Sequence, residues 1–257
     1  MHKCQATEQR TLREALDLLP RTEAGSRTLL RRLNLLKPFP KDAAILDVVA
    51  AHGRFLVACA KMGYQAVGLE PWPQAIEVAV ALANHEDVSI SIACGVAEAL
   101  PFASEQFWLV HAMSVIEHVQ DASQAFREAY RVLKPGGLFW FFTASCLCPR
   151  QGEIAGFPCF SWYPDRVKRR IMSWAVKCKP QLVGHTAHPA MNWFTPWKAR
   201  KMLRAAGFRS VYDRWDLPPL PEMPTIKRLG LLIIRSAFLT KCLADMARPG
   251  CSFAAVK

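Results

Sequence analysis

Residues 44–70 read AILDVVAAHGRFLVACAKMGYQAVGLE, and this stretch decides the fold. Ala44 to Val49 is a short apolar run rich in branched side chains, suited to a strand buried on both faces. The small residues Ala50 and Ala51 lead to Gly53. From Gly53 the apolar spacing turns helical as far as Met62, and Gly63 is a natural stop. Gln65 to Leu69 is a second buried strand, closing on Glu70. Strand, helix and strand in such close succession require a crossover and parallel pairing.

The pattern continues outward. Pro73 to Asn84 reads as a helix, Val88 to Ala93 as a strand and Phe107 to Met113 as another. Ala122 to Leu133 is amphipathic, Lys134-Pro135-Gly136-Gly137 breaks it, and Leu138 to Thr143 is a fifth strand. The reading is an α/β fold with a parallel sheet and helices on both faces. Residues 1–40 form a helical lead-in carrying Arg27, Arg31 and Arg32, and residues 41–145 form the core. Residues 146–192, rich in Pro, Trp and basic side chains, break the alternation as a cap insertion. Regularity returns over 193–257. A helix opens at Thr195-Pro196 and stops at Gly207, and Phe208 to Trp215 is a strand. A Pro-rich connector from Leu217 to Pro224 precedes an apolar helix over Thr225 to Ala247, expected to pack on the sheet. Cys251 to Val256 is the last strand.

Composition narrows the class. A chain of 257 residues with 51% hydrophobic content can bury a large core, which excludes global disorder. Nine irregularly spaced cysteines argue for reduced thiols and a cytoplasmic setting rather than a disulfide scaffold. The polar start MHKCQATEQRTLREALDLLP predicts no secretory leader, and no apolar run is long enough to span a bilayer. The net charge of +12 is uneven: +5 over residues 1–41, −6 over 42–145 and +13 over 146–257. Basic ends suit anionic partners, or simply a solvated basic surface.

In open parallel sheets ligands bind beyond the carboxyl ends of the strands. There the sequence places Asp47-Val48-Val49-Ala50-Ala51-His52-Gly53, Glu70, Gly95-Val96-Ala97-Glu98-Ala99-Leu100-Pro101-Phe102 and Ser114-Val115-Ile116-Glu117-His118. With Leu133-Lys134-Pro135-Gly136-Gly137, these motifs resemble the class I methyltransferases that use S-adenosylmethionine. The resemblance is to the small-molecule group with an Ala-Glu-x-Leu-Pro-Phe element and a Leu-Lys-Pro-Gly-Gly turn, strong over about 40–145 and looser over 193–257. It implies a Rossmann-like, seven-stranded, mostly parallel sheet whose last strand is antiparallel. It also implies S-adenosylmethionine as cofactor, held by Asp47, Val49, Ala51 and Gly53, with Glu70 accepting from the ribose hydroxyls. Ala97 and Glu98 would flank the adenine, and Ala112 and Met113 the methionine end.

This chain departs from the family pattern. Val49 and Ala51 stand where the first two glycines of the loop are usual, Val96 replaces an Asp in the adenine loop, and Trp108 replaces the Asp after Phe107. A β-branched Val49 resists positive φ. Each lost polar contact to a buried ligand costs about 1–3 kcal/mol. These departures carry the alternative reading, a methyltransferase fold that has lost turnover and serves as a binding or partner subunit. A nicotinamide dehydrogenase is disfavoured, because no Gly-x-Gly-x-x-Gly follows the first strand.

His118 is the candidate general base, set against a structural histidine capping the next helix. His185 and His188 lack a third ligand, and Cys146-Leu147-Cys148 lacks a second pair, so no metal site is expected. In the cap, aromatics such as Trp162, Tyr163 and Trp174 alternate with cations such as Arg166, Lys168 and Arg169. That mixture suits a pocket for a small-molecule or lipid-like acceptor. Nucleic acid is less favoured because no recognised binding module is appended. Peripheral membrane contact is a minor reading of the cap and of the apolar run after residue 225.

Overall fold

The computed structural model describes residues 2–184 and 189–257. His185 and His188 lie outside the described residues. Seven strands form one sheet in the order β3-β2-β1-β4-β5-β7-β6. They are β1 (Ala44–Val48), β2 (Gln65–Glu70), β3 (Ser91–Cys94), β4 (Phe107–Met113), β5 (Leu133–Ala144), β6 (Ser210–Asp213) and β7 (Gly250–Val256). β1 pairs in parallel with both β2 and β4, β2 pairs in parallel with β3, and β6 and β7 pair antiparallel. The expected mostly parallel sheet with an antiparallel last strand is present.

The chain divides into two compact units. The first holds residues 1–112, 128–139 and 257. Its helices include α1 (His2–Leu36), α2 (Arg54–Lys61) and α3 (Pro73–His85). Most of α4 (Ala122–Val132) falls outside this unit. The lead-in is α1, one long helix that continues through Pro20. An interior proline removes a backbone bond and typically costs about 3 kcal/mol. Burial offsets that cost: Ala15 and Leu19 enter a core with Val57 of α2 and Val78, Leu82 and Ala83 of α3. A buried leucine contributes about 1.5–3 kcal/mol.

β5 begins at Leu133, five residues before the expected strand. The Lys134-Pro135-Gly136-Gly137 turn is drawn into it by distant partners. Gly136 N–H donates to the Lys257 carbonyl at 3.2 Å, and Lys257 N–H donates to that of Gly137 at 3.1 Å. Gly136 itself takes φ 77°, which accounts for the glycine.

The second unit holds residues 113–127 and 140–256, with α5 (Asp165–Cys178), α6 (Pro196–Ala205), α7 (Thr225–Arg235) and α8 (Phe238–Met246). The insertion builds its own small core from Ile154, Phe160, Met172, Ala175, Val183, Ala190 and Trp193. Thr195 caps α6 by accepting from Lys198 N–H, as the Thr-Pro signal predicts. The apolar run after residue 225 departs from expectation twice. It breaks at Ser236-Ala237 into two helices, and α7 buries none of its residues. It is therefore not the sheet-packed helix that its composition suggested. Among the described residues no helix is long and apolar enough to cross a membrane.

Candidate functional site

At the carboxyl end of β1 the backbone turns through three left-handed residues: Val49 at φ 59°, Ala51 at φ 49° and Gly53 at φ 71°. Only Gly53 adopts this region without strain. A non-glycine residue held there costs about 1–2 kcal/mol, and a β-branched one is a marked outlier. The loop thus keeps a glycine-type path although two of its three positions carry side chains. At Gly53 a Cβ would meet that of Ala79 at 2.6 Å, so a close approach of α2 to α3 also requires this glycine.

Two neighbouring strands hold the path in place. Ala50 N–H donates to the Leu69 carbonyl at 2.9 Å. Glu70, 1% exposed, accepts from Ala51 N–H at 2.7 Å through one carboxylate oxygen and from Trp72 N–H at 3.2 Å through the other. Its carbonyl accepts from Gly95 N–H at 3.4 Å, which brings the third loop alongside. Burial raises the Glu70 pKa above the ordinary carboxylate value; the two amide bonds oppose the shift and the nearby Asp47 adds to it. A carboxylate has about four lone-pair sites, so capacity remains for hydroxyl donors. Glu70 is therefore not a solvent-exposed side chain at the start of α3.

Asp47, one residue before the end of β1, is buried and bonded to Nδ1 of His111 at 2.6 Å. The two are register partners on β1 and β4. The His111 ring stacks on Phe55 of α2 at a centroid distance of 3.8 Å. Asp47 therefore spends one oxygen on fixing the strand ends beneath the loop. In the third loop Val96 is exposed and bridged to Ala99, Ala97 is buried and Glu98 is half-buried. The first unit thus assembles Asp47, Val49, Ala51, Gly53, Glu70, Ala97 and Glu98 around adjacent strand ends. Ala112 is fully buried within β4, which leaves only its backbone for a ligand. Trp108 lies near the opposite end of β4, beneath the Lys134 ammonium at 5.3 Å, and lines a hollow with Pro40, Asp42 and Ala43. Its departure from the family pattern therefore falls away from the strand ends that carry the loop.

In the second unit Met113 is exposed, and Ser114 takes φ 56°. His118 is half-buried in a turn, with its N–H donating to the Val115 carbonyl at 2.8 Å. Its neighbour Glu117 is the residue that sequence reasoning missed. Glu117 is 5% exposed and accepts from the Thr143 hydroxyl at 2.8 Å. Its carbonyl accepts from the N–H groups of Met191 and Asn192. Burial pushes the Glu117 pKa up to about 7, and the Glu153 carboxylate adds to the shift. A carboxyl poised there can take or give a proton near neutral pH.

The cap cations are not all at the surface. Lys168 is buried, paired with Asp165 at 2.9 Å and seated over the Trp193 ring at 4.3 Å. It is a core residue of the insertion rather than a phosphate contact. Trp162 and Trp174 are exposed. Among the described residues no cluster of His, Cys, Asp and Glu could hold a metal, and the eight described cysteines are free thiols.

Residues 46–141 match the family model of a methyltransferase domain. A ubiquinone biosynthesis O-methyltransferase of Methylobacterium nodulans is 36% identical over 108 residues, 42% of this chain and 43% of that protein. The protein of the same name from Azorhizobium caulinodans is 36% identical over 103 residues, 40% of each chain. The matched stretch therefore spans less than half the length of these relatives. Among solved structures, a methyltransferase of Thermotoga maritima superposes with a TM-score of 0.54 at 17% identity, covering 96% of this chain and 97% of that one. Phosphoethanolamine N-methyltransferase 2 of Haemonchus contortus, in complex with S-adenosyl-L-methionine, superposes with a TM-score of 0.56 at 16% identity, covering 90% of this chain and 52% of that one. At such identities the structures establish the shared fold.

Proposed function

We propose, from the class I methyltransferase domain that this chain carries at residues 46–141, that it methylates an oxygen of a small-molecule acceptor. S-adenosylmethionine supplies a methyl group on a sulfonium centre, open to direct displacement. The observation that supports this reading best is the left-handed path at Val49, Ala51 and Gly53, clamped by Glu70. A loop that had lost its ligand would have no reason to hold valine and alanine in strained backbone. In this reading the loop backbone meets the amino-acid and ribose portions of the cofactor. The spare acceptor sites of Glu70 take the ribose hydroxyls, and Ala97 and Glu98 flank the adenine.

Displacement at a methyl group demands alignment and exclusion of water more than an elaborate catalytic set. A hydroxyl acceptor must also lose its proton. Glu117, with a pKa of about 7, is a carboxylate suited to taking it. The O-methyltransferase names of the Methylobacterium and Azorhizobium relatives favour oxygen over nitrogen. We assign acceptor recognition to the insertion, whose separate core leaves Trp162 and Trp174 exposed.

Isothermal titration with S-adenosylmethionine and S-adenosylhomocysteine tests the reading, with Glu70→Ala as control. Micromolar binding that the control abolishes supports it. A folded protein that binds neither compound at millimolar concentration overturns it in favour of a non-catalytic binding subunit.

A further inference from the structure

The helices α7 and α8 leave large apolar side chains exposed. On α7 two arginines tie the helix to the connector before it: Arg228, itself exposed, donates to the carbonyls of Leu220 and Pro221, and half-buried Arg235, two turns on, donates to those of Trp215 and Leu217. The opposite face presents Ile226, Leu229 and Ile233 at i, i+3 and i+7, with Ile226 77% exposed. α8 repeats the arrangement. Lys241 reaches the carboxylates of Asp213 and Asp216, and buried Asp245 accepts from the Trp215 indole N–H at 2.8 Å. Leu239, Leu243 and Met246, at i, i+4 and i+7, face outward and are exposed.

A soluble helix normally turns its apolar stripe to the core and its charges to water. Here the charges anchor both helices to the second unit, and the apolar faces are left for something else. Contiguous exposed apolar surface of this kind marks an interaction site. The surrounding charge says which. Between Met223 and Pro249 the sole acidic residue is the buried Asp245. Lys227 and Arg248 are exposed within that stretch. On α6, Trp197 is exposed and lies 6.3 Å from the Phe238 ring, with Lys201 and Arg204 exposed at i+4 and i+7. An apolar face with exposed cations on its own and the neighbouring helix, and an exposed tryptophan beside it, fits the headgroup boundary of an anionic bilayer. A two-fold contact with a second copy would set the same cations against one another.

We propose that the outer face of α7 and α8 docks on an anionic phospholipid surface. The helices lie in the interface without crossing it. This proposal is independent of the methyl-transfer reading, and its test reads binding rather than activity.

The test is flotation of the full chain with vesicles of phosphatidylcholine alone and of phosphatidylcholine with phosphatidylglycerol, alongside the variants Leu229→Glu/Ile233→Glu and Leu239→Glu/Leu243→Glu. The expected result is flotation with anionic vesicles only, weakened by salt, with a blue shift of tryptophan emission. Each folded double variant, checked by circular dichroism, should lose affinity by about tenfold or more. Absence of flotation from the folded wild type overturns the proposal, as does equal binding to neutral vesicles or unchanged binding in both variants. A dimer that the variants dissociate, without flotation, assigns the face to a second copy and also overturns it.

Discussion

The carboxylate of Glu70 accepts a 2.7 Å hydrogen bond from the N–H of Ala51, nineteen residues earlier and itself in left-handed backbone. The end of one strand thereby holds the loop that follows its neighbour.

Replacing Glu70 separates its hydrogen bonds to the loop from its proposed role toward the ribose. Glu70→Ala leaves the N–H groups of Ala51 and Trp72 without their acceptor, which should cost about 1–3 kcal/mol of stability. Glu70→Gln keeps one carbonyl acceptor and most of the stability, while S-adenosylhomocysteine affinity should fall by about tenfold or more. Thermal melts and titration on both variants check this. Equal ligand affinity in wild type and Glu70→Gln would refute the ribose assignment.

The strain at the loop predicts an unusual glycine substitution. At Ala51 relief of about 1–2 kcal/mol outweighs the 0.5–1 kcal/mol that glycine adds in chain entropy. Ala51→Gly should therefore raise the melting point by about 2 °C. Because the backbone already follows the glycine path, cofactor affinity should stay within about threefold. At Val49 the half-buried side chain is lost as well, so Val49→Gly should be close to neutral in stability.

In the proposed mechanism Glu117 makes activity depend on pH, and its burial makes stability depend on pH as well. Acting as the base, it should give kcat/KM a rising limb with an apparent pKa near 7, absent in Glu117→Gln. The stability effect runs in the opposite direction. The folded state keeps the proton up to about pH 7, while the unfolded carboxyl releases it near its ordinary value of 4.5. Stability therefore declines as pH rises between those values, by up to about 3 kcal/mol. Glu117→Gln should flatten that slope in urea titrations at pH 5 and pH 8. An unchanged slope would show that Glu117 does not titrate there.

The buried pair of Asp47 and His111 predicts a fourth outcome. His111→Ala strands a buried acceptor and removes the ring stacked on Phe55, so a loss of about 3 kcal/mol is expected. A double-mutant cycle with Asp47→Asn should recover part of it, since the two residues are coupled.

Much of the first unit was legible because its signals are local. Gly53, Glu70 and the alternation between them lie within a single βαβ unit, where period and punctuation suffice. Glu117 was not legible, because its burial comes from Thr143, Met191 and Asn192, which a linear reading does not bring near it. The early start of β5 escaped notice for the same reason, since its partner is Lys257. The apolar stripe of α7 was visible, but its direction was not. Periodicity defines two faces of a helix and is silent on which one turns inward. Arg235 reads as a solvated side chain until its carbonyl partners are known.

The strand order has a consequence for synthesis. β7 lies between β5 and β6, yet it is the last of the three in the chain. A ribosome therefore releases β6 and the outer edge of β5 before the strand that joins them exists. Until residue 256 emerges, both present unpaired backbone, which is an invitation to pair with other chains. A nascent chain stalled short of β7 is thus predisposed to aggregate, and the protein depends on rapid closure of its sheet by the final strand or on shielding by a chaperone until then.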